Sequence, residues 1–334
     1  MNLLFTCAGR RTYLLKYFKE NLSEGDKVIA TDMQSSAPAF SMADIIEQVP
    51  NVYTKDYVDK ILLICRKYNV TAIISLNDLE LPILADNRER FDCIGVKLII
   101  SSPEVVDCCF DKYKTANYLL SLGLKTPETF IDFNEAVEAI ENGKIVYPLV
   151  LKPRWGSGSI GIEIVNDKEE MKLVYEFLCR KIRRTILSRV SKSENYILIQ
   201  EMISGLEYGM DIMNDLRGNN ITVAVKRKLS MRAGETDKAV IVDNNIIRNI
   251  GKVIGENLKH IGNLDCDLLE RNGEYYVLEL NPRFGGGFPF SYEAGVNLPK
   301  AIIEWLKGNE IDVSILQPVY GKLFAKCDYL VELK

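Results

Sequence analysis

Lys152-Pro153-Arg154-Trp155-Gly156-Ser157-Gly158-Ser159-Ile160-Gly161-Ile162-Glu163-Ile164-Val165 is the stretch whose reading decides the fold. Gly156, Gly158 and Gly161 match the G-x-G-x-x-G spacing of a dinucleotide-binding turn. That turn must feed a helix, because the helix N-terminus holds the pyrophosphate. Here the loop feeds Ile162-Glu163-Ile164-Val165, which is strand-like. A P-loop needs Lys-Ser or Lys-Thr after its last glycine, and Ile162-Glu163 stands there instead. A protein kinase does place such a loop between two strands, and Val223-Ala224-Val225-Lys226 imitates its lysine strand. That lysine lies much too far along the chain for the adjacent strand, and no His-Arg-Asp or Asp-Phe-Gly triplet exists. A β-loop-β flap remains. Its glycines permit close approach, and its backbone N–H groups can close over phosphates. Taken alone, the loop also reads as a simple Gly-Ser hairpin; Lys152, at the end of the preceding strand, favours phosphate.

Well over a hundred residues later comes a second charged group, Asp267 and then Glu279-Leu280-Asn281-Pro282-Arg283. Asn272-Gly273 between apolar runs is a strong hairpin signal. It puts Asp267 and Glu279 on the two arms, with Glu279 and Asn281 two apart on one face. Three oxygen-bearing side chains converging there suit Mg²⁺, which takes few protein ligands plus phosphate oxygens. A solvated hairpin face with scattered acids is the alternative, and for Asp267 alone it is the simpler one.

Around these two groups the chain divides into three. Strand-like runs Asn2 to Cys7, Lys27 to Asp32, Val70 to Leu76 and Val96 to Ser101 alternate with helical patterns Tyr13 to Leu22 and Val58 to Tyr68. Such alternation implies a parallel sheet with covered faces, so residues 1–106 are expected to form an α/β domain. Residues 107–205 form a central lobe with helices at Lys112 to Leu122 and Glu169 to Arg189 and strands at Val146 to Lys152, Gly161 to Val165 and Tyr196 to Gln200. Residues 206–334 turn to β, with strands Glu207 to Met213, Ile221 to Lys226, Asp267 to Glu270 and Tyr275 to Leu280, helices Ile246 to Ile261 and Leu298 to Lys307, and a closing strand region from Tyr320 to Leu333.

Composition excludes several classes. A net charge of −4 over 334 residues argues against a general nucleic-acid binder, and the run Arg180-Lys181-Ile182-Arg183-Arg184 reads as a solvated helix face. The 8 cysteines form no CxxC pair, which points to reduced thiols in a cytoplasmic protein. No apolar run reaches the roughly 20 residues that span a bilayer, and no signal peptide is read at the start. His260 is the sole histidine, which argues against Ser-His-Asp and multi-histidine metal chemistry, and it reads as structural.

These residues resemble the ATP-grasp superfamily, in the expected order and over nearly the whole chain, with carbamoyl-phosphate-synthase-like and pyrrolysine-biosynthesis-type carboxylate–amine ligases as the nearest flavour. Asp111-Lys112, Val150-Leu151-Lys152-Pro153 with the flap, Ile199-Gln200-Glu201-Met202-Ile203-Ser204-Gly205-x-Glu207, Asp267 and Glu279-x-Asn281-Pro282-Arg283 carry the likeness. It implies an α/β (α+β) architecture: a pre-ATP-grasp parallel α/β domain followed by the two-lobed ATP-grasp fold. It implies that Lys112, Lys152 and the flap Gly156, Ser157, Gly158, Ser159 and Gly161 bind ATP phosphates. The backbone around Glu201 and Met202 would read adenine, beside Gln200, which departs from a commonly acidic position, and Glu207 would bind ribose. Asp267, Glu279 and Asn281 would hold one or two Mg²⁺, with Mn²⁺ as a substitute, and Arg283 with Asn281 would serve catalysis. Four regions are weaker candidates for substrate. Arg10 ends the first strand and faces either a substrate anion or solvent. Glu80, in Asn77-Asp78-x-Glu80, either lines the same crevice or caps the next helix. Arg232 and Glu235 lie in a basic, turn-like stretch where relatives contact phosphate or substrate. Gly286 lies in the Phe284 to Asn297 segment expected to set specificity.

The expected activity is amide formation through an acyl phosphate, from small-molecule carboxylate and amine substrates, with no nucleic-acid or membrane partner. A homodimer is left open. Two other readings stay beside it: a carbamoyl- or acyl-phosphate-forming synthetase, and an ATP-binding protein without catalysis.

Overall fold

The computed structural model describes residues 1–156, 161–185 and 195–333. Ser157, Gly158 and Ser159 of the flap, and the last turn expected of the helix ending at Arg189, lie outside the described residues.

The first part is a five-stranded sheet: β1 (Asn2–Thr6), β2 (Lys27–Asp32), β3 (Ile45–Gln48), β4 (Ala72–Ser75) and β5 (Lys97–Leu98), in the order β3-β2-β1-β4-β5. Every described pair is parallel. Helices α1 (Thr12–Lys19), α2 (Tyr57–Lys67), α3 (Leu81–Asp86), α4 (Arg88–Asp92) and α5 (Pro103–Phe110) accompany it. Burial explains the near-continuous apolar runs: Leu3, Leu4 and Phe5 are all fully buried, so successive side chains on both faces of β1 are covered. Leu3 and Phe5 join one core cluster and Leu4 another. The short helices α3 and α4 and strand β3 escape periodicity, being only 4 to 6 residues long.

The second part pairs α6 (Lys112–Ser121) and α7 (Phe133–Glu141) with a four-stranded antiparallel sheet, β6 (Thr129–Phe130), β7 (Leu149–Pro153), β8 (Glu163–Val165) and β9 (Ile197–Glu201), backed by α8 (Lys168–Arg183). Strands β7 and β8 run antiparallel on either side of the glycine loop, as the strand-loop-strand reading requires. In α8, Met171, Leu178 and Ile182 face the sheet, while Arg180 and Arg183 point outward; the basic run is a solvated face.

The third part is a six-stranded antiparallel sheet ordered β14-β13-β10-β11-β12-β15. Its strands are β10 (Leu206–Asn214), β11 (Asn220–Arg232), β12 (Glu235–Ile241), β13 (Gly262–Arg271), β14 (Glu274–Asn281) and β15 (Leu323–Ala325). Helices α9 (Asn245–Leu258), α10 (Phe288–Glu293) and α11 (Leu298–Leu306) complete it. Two expectations need correction here. The stretch from Lys226 to Glu235 is a long hairpin, with its turn at Ala233 and Gly234, both at positive φ. It lacks apolar alternation because β11 from Lys226 onward carries polar side chains into a cavity. The end of the chain forms only the short strand β15, paired with β12 at Lys238, Ala239 and Val240.

The first and third parts share one apolar core. Phe5 and Phe18 from the first part meet Phe284, Phe288 and Ala301 from the third in a single buried cluster, with Phe18 edge-on to Phe284 at 5.8 Å. The strand ends of the first sheet therefore sit against the segment that follows Asn281.

Candidate active site

The end of the site expected to hold phosphate is built at a junction between α6 and β7. Asp111 caps α6, accepting from the Tyr113 and Lys114 N–H groups. The same carboxylate takes a bidentate ion pair from Arg154, at 2.8 and 2.7 Å, and Asp111 bridges to Trp155. This clamp fixes Lys112 beside the end of β7, where Lys152 stands. Lys112 donates to the Gly156 carbonyl and lies 3.6 Å from Glu279. Lys152 is buried and forms no ion pair among the described residues. Burial and then the charge of Lys112 pull its pKa down to about 8. A buried lysine with no ion pair among the described residues, under the charge of a second lysine, invites an anion. Arg154 carried no sequence signal of its own; an acid N-cap before a lysine and an arginine two residues after the second lysine are the pair that reveal it.

The acidic end is the hairpin β13–β14. Asp267 pairs directly with Glu279, and Asp265 with Asn281. A register shift follows Asp267, so the alternation read along Leu278-Glu279-Leu280-Asn281 is interrupted just before the site; a bulge re-aims the side chains beyond it. Asn281 Nδ2 donates to Glu279 Oε1 at 3.2 Å, confirming one face for the two. Burial opposes the charge of Glu279, but Lys112 and Lys152 outweigh it and hold its carboxyl below the usual range. Burial raises Asp267, against the pull of Lys228.

Lys228 belongs to the basic stretch whose residues sequence reading did not assign singly. It lies 2.7 Å from Asp267 and donates to Glu207 at 2.9 Å, tying the expected ribose and metal positions together. Below it, Lys226 and Asp211 form a fully buried pair at 2.5 Å. In sequence, Lys226 and Lys228 alternate on one strand face, a signal hidden by the turn-like reading.

Arg283 crosses between parts of the molecule. Its Nη2 donates to Asp78 at 2.6 Å and its Nη1 to the Phe284 carbonyl at 3.1 Å, while its buried Nε has no partner among the described residues. Asp78, not Glu80, is the member of the Asn77-Asp78-x-Glu80 motif that reaches the site. Glu80 is fully buried and accepts from Thr6 at 2.7 Å, Ser75 at 2.6 Å and Tyr57. Its side chain neither lines a crevice nor caps α3, although Glu80 stands at the N-cap position, because three hydroxyls enclose the carboxylate at the end of β1 and β4.

The remaining weak candidates separate. Arg10 is exposed, and its neighbour Arg11 takes the inward place. Arg232 pairs at the surface with Asp237 at 3.0 Å and Asp328 at 2.5 Å. Glu235 and Gly286 do line the site: an open cavity of about 550 Å³ is bounded by Arg11, Lys228, Glu235, Asp267, Arg283 and Gly286. A second space of about 310 Å³ lies against Lys112, Gly156 and Asp78, and Glu279 and Asn281 border both. At the hinge, Gln200 donates to Thr129 at 2.6 Å and Glu201 pairs with Arg271 at 2.8 Å. The Glu201 N–H donates to the Glu128 carbonyl, so it is already engaged. Met202, half-buried, follows the end of β9. His260 is buried, bonded to the Ile212 carbonyl at 2.9 Å and remote from these groups.

The donor set fits a hard cation. Among the described residues no three acidic, histidine or cysteine side chains gather as a closed metal cluster. Asp267, Glu279 and Asn281 instead offer two carboxylates and an amide at the border of an open cavity, the incomplete set that Mg²⁺ shares with phosphate oxygens and water.

Comparison with known proteins agrees with this geometry. The ATP-grasp domain family matches residues 109–287, and the PylC-like N-terminal domain family matches residues 3–99. The carbamoyl phosphate synthase large chain of Thermoplasma volcanium is 25% identical over 274 residues, covering 78% of this chain and 24% of the relative. That of Methanoculleus marisnigri is 23% identical, covering 89% and 28%. The chain thus spans about a quarter of the length of these relatives. Among solved structures, the L-amino acid ligase of Bacillus licheniformis superposes with a TM-score of 0.69 at 20% identity, over 96% of this chain and 76% of that one. The biotin carboxylase domain of Hydrogenobacter thermophilus 2-oxoglutarate carboxylase, in complex with MgADP, ADP and bicarbonate, gives 0.74 at 18% identity, over 93% and 70%. Among the described residues no helix is long and apolar enough to cross a membrane. A parallel α/β sheet, an antiparallel strand pair around the glycine loop and a hairpin of acids, together with a family match over more than half of the chain, place this protein in the ATP-grasp family.

Proposed function

We propose that this protein is a carboxylate–amine ligase that forms an amide through an acyl phosphate and releases ADP and phosphate. The observation that carries this is the pair of buried lysines Lys112 and Lys152, of which Lys112 lies 3.6 Å from Glu279 and Lys152 forms no ion pair among the described residues. Lys112, Lys152, Gly156 and Gly161, with Ser157, Gly158 and Ser159 of the flap, hold the ATP phosphates. Gln200, Glu201 and Met202 border adenine; because the Glu201 N–H is engaged, the Met202 backbone is the position left to read its edge. Glu207, steered by Lys228, takes the ribose hydroxyls. Asp267, Glu279 and Asn281 would hold Mg²⁺, which would supply positive charge to the transferring phosphoryl group. The three parts of the chain, 1–106, 107–205 and 206–334, meet at this site.

The chemistry asks for cations and dryness rather than acid–base groups. A substrate carboxylate oxygen attacks the γ-phosphorus, and the bond from that phosphorus to ADP breaks. The amine nitrogen then attacks the acyl carbon, the carbon–oxygen bond to phosphate breaks, and the nitrogen gives up its proton. Arg283, fixed by Asp78 and with an Nε that has no partner among the described residues, stabilises the acyl phosphate and the tetrahedral intermediate.

The test is release of ADP and phosphate with MgATP across a panel of carboxylates and amines, with products screened by mass. Release that requires both partners, with a condensed product, supports ligation. Release with a carboxylate or bicarbonate alone, without an amine, supports the acyl- or carbamoyl-phosphate reading that the similar synthases favour. Tight ATP binding with no release across the panel counts for a binder without catalysis.

A further inference from the structure

Residues 326–333 follow β15 without regular secondary structure. Apolar packing does not hold them: Tyr329 and Leu333 are exposed, and Leu330 is wholly so. Polar contacts do, and they go to two separate elements. On the hairpin β11–β12, the Lys326 N–H donates to the Asp237 carbonyl at 2.8 Å and its ammonium group to Glu235 at 2.9 Å. Asp328 pairs there with Arg232 at 2.5 Å. On α1, the Tyr329 hydroxyl shares a hydrogen bond of 2.6 Å with the hydroxyl of buried Thr12.

Both anchorages belong to walls of the larger cavity. Glu235, with Met231, Gly234 and Thr236 beside it, lines that space from the hairpin, and Arg11, next to Thr12, lines it from the first part. Lys326, Asp328 and Tyr329 do not line it, so they stand at its rim. From Lys326 to Tyr329 the backbone reaches at most about 11 Å, and within that reach it joins one wall to the other. Charge follows the same path. Arg232 holds the Asp328 carboxyl below the usual range, and Arg10, from the first part, adds to the effect.

Stability does not require this bridge. The first and third parts already share the core around Phe5, Phe18, Phe284 and Phe288, and exposed ion pairs add little to such a union. A bridge held without apolar burial opens cheaply. What it does add is a barrier at the rim of the cavity, where the ligase reading needs an acyl phosphate kept from water.

We propose that residues 326–333 form a strap across the mouth of the larger cavity, anchored on β11–β12 by Lys326 and Asp328 and latched to α1 by Tyr329, whose release opens the cavity to a substrate other than the nucleotide. Only the nature of that substrate rests on the ligase reading; the strap does not.

The test is footprinting of the whole protein, without nucleotide or substrate, by the arginine reagent p-hydroxyphenylglyoxal, read residue by residue by mass. Arg11 reports the cavity. Arg66, exposed on α2 and behind the other face of the first sheet, reports reagent and fold. Tyr329→Phe removes only the latch hydroxyl, and Lys326→Gln with Asp328→Asn removes the anchors. Each variant should speed modification of Arg11 roughly threefold or more and leave Arg66 unchanged. An unchanged Arg11 rate in either variant overturns the strap, as does an equal rise at Arg66 in both, which would mean general loosening. Failure of the ADP-release panel would remove the ligase reading and leave this footprint as it stands.

Discussion

At the residue scale the site is a set of charges held out of balance. Lys152 is the clearest case. Its pKa near 8 means that at pH 8.5 roughly three-quarters of it is neutral in the empty protein. Nucleotide phosphates favour the charged form, so binding must draw a proton from solvent. Metal-free ADP is therefore expected to bind with Lys152 taking up roughly three-quarters of a proton at pH 8.5 and almost none at pH 6.5. Calorimetry in buffers of different ionisation enthalpy reads this directly; equal uptake at both pH values would move the depressed lysine elsewhere. Lys152→Ala should weaken nucleotide affinity and abolish the uptake. Among the acids, Glu279→Gln and Asn281→Ala should each cut turnover at least tenfold while circular dichroism stays unchanged. Near-normal turnover in both would sink the metal assignment. His260 tests a different balance. Burial lowers it to about 4, below the ordinary value of 6.5, so the folded state resists a proton that the unfolded chain accepts. Stability is then lost as pH falls from about 6.5 toward 4, and the wild-type advantage over His260→Gln should shrink by about 2 kcal/mol between pH 7 and pH 5. Urea unfolding at the two pH values decides it; an unchanged advantage would refute the neutral, buried histidine.

At the element scale the decisive device is the sheet from β10 to β14, which stacks charges on its cavity face. Lys226 and Lys228 on β11 reach Asp211 and Glu207 on β10 and Asp267 on β13. The Lys226–Asp211 pair is fully buried, so Lys226→Met should leave an uncompensated carboxylate and cost roughly 3–5 kcal/mol, measured by chemical unfolding. A loss under 1 kcal/mol would mean that Asp211 finds another donor; Ser291 and Asn263 already bond to it. This face also explains what the sequence concealed. The Asn272-Gly273 hairpin and the flap strands β7 and β8 were legible because apolar alternation and turn chemistry coincide there. The hairpin β11–β12 was not, because a strand lining a polar cavity loses the alternation that marks strands. Lys112, Lys152, Asp267, Glu279, Asn281 and Arg283 stood out because they recur in a known order. Arg11, Asp78, Arg154 and Lys228 did not, because their meaning lies in partners far along the chain: Asp78 and Arg283 are 205 residues apart.

At the scale of the whole molecule, the three parts are held with unequal strength. The first and third parts share a core in which Phe5, Phe18, Phe284 and Phe288 pack together, reinforced by Tyr17 stacked on Tyr292 at 3.6 Å and by the Asp78–Arg283 bond. The central lobe keeps its own core of Leu149, Leu151, Met171, Ile197, Ile199 and their neighbours, confined to that lobe. Helix α6 is the exception, burying Leu119 in the core of the six-stranded sheet, while at the site the β6–β9 sheet is tied by polar contacts: the Asp111–Arg154 clamp to the start of α6, Lys112 to the Gly156 carbonyl, and Glu201 with Arg271. Contacts of this kind permit opening without global unfolding, because little apolar surface must be exposed. Amide hydrogen exchange should therefore divide the chain in two. β1, β4, β10 and β13 should exchange only with global unfolding, whereas β7 and β9 should exchange through a cheaper, separate opening. A nucleotide bridging Lys152 on β7 and Glu279 on β14 joins the two bodies, so MgADP should slow exchange in β7 and β9 more than in β1 and β4. Equal slowing everywhere would show a single cooperative unit, and slowing confined to the six-stranded sheet would place the nucleotide away from Lys152.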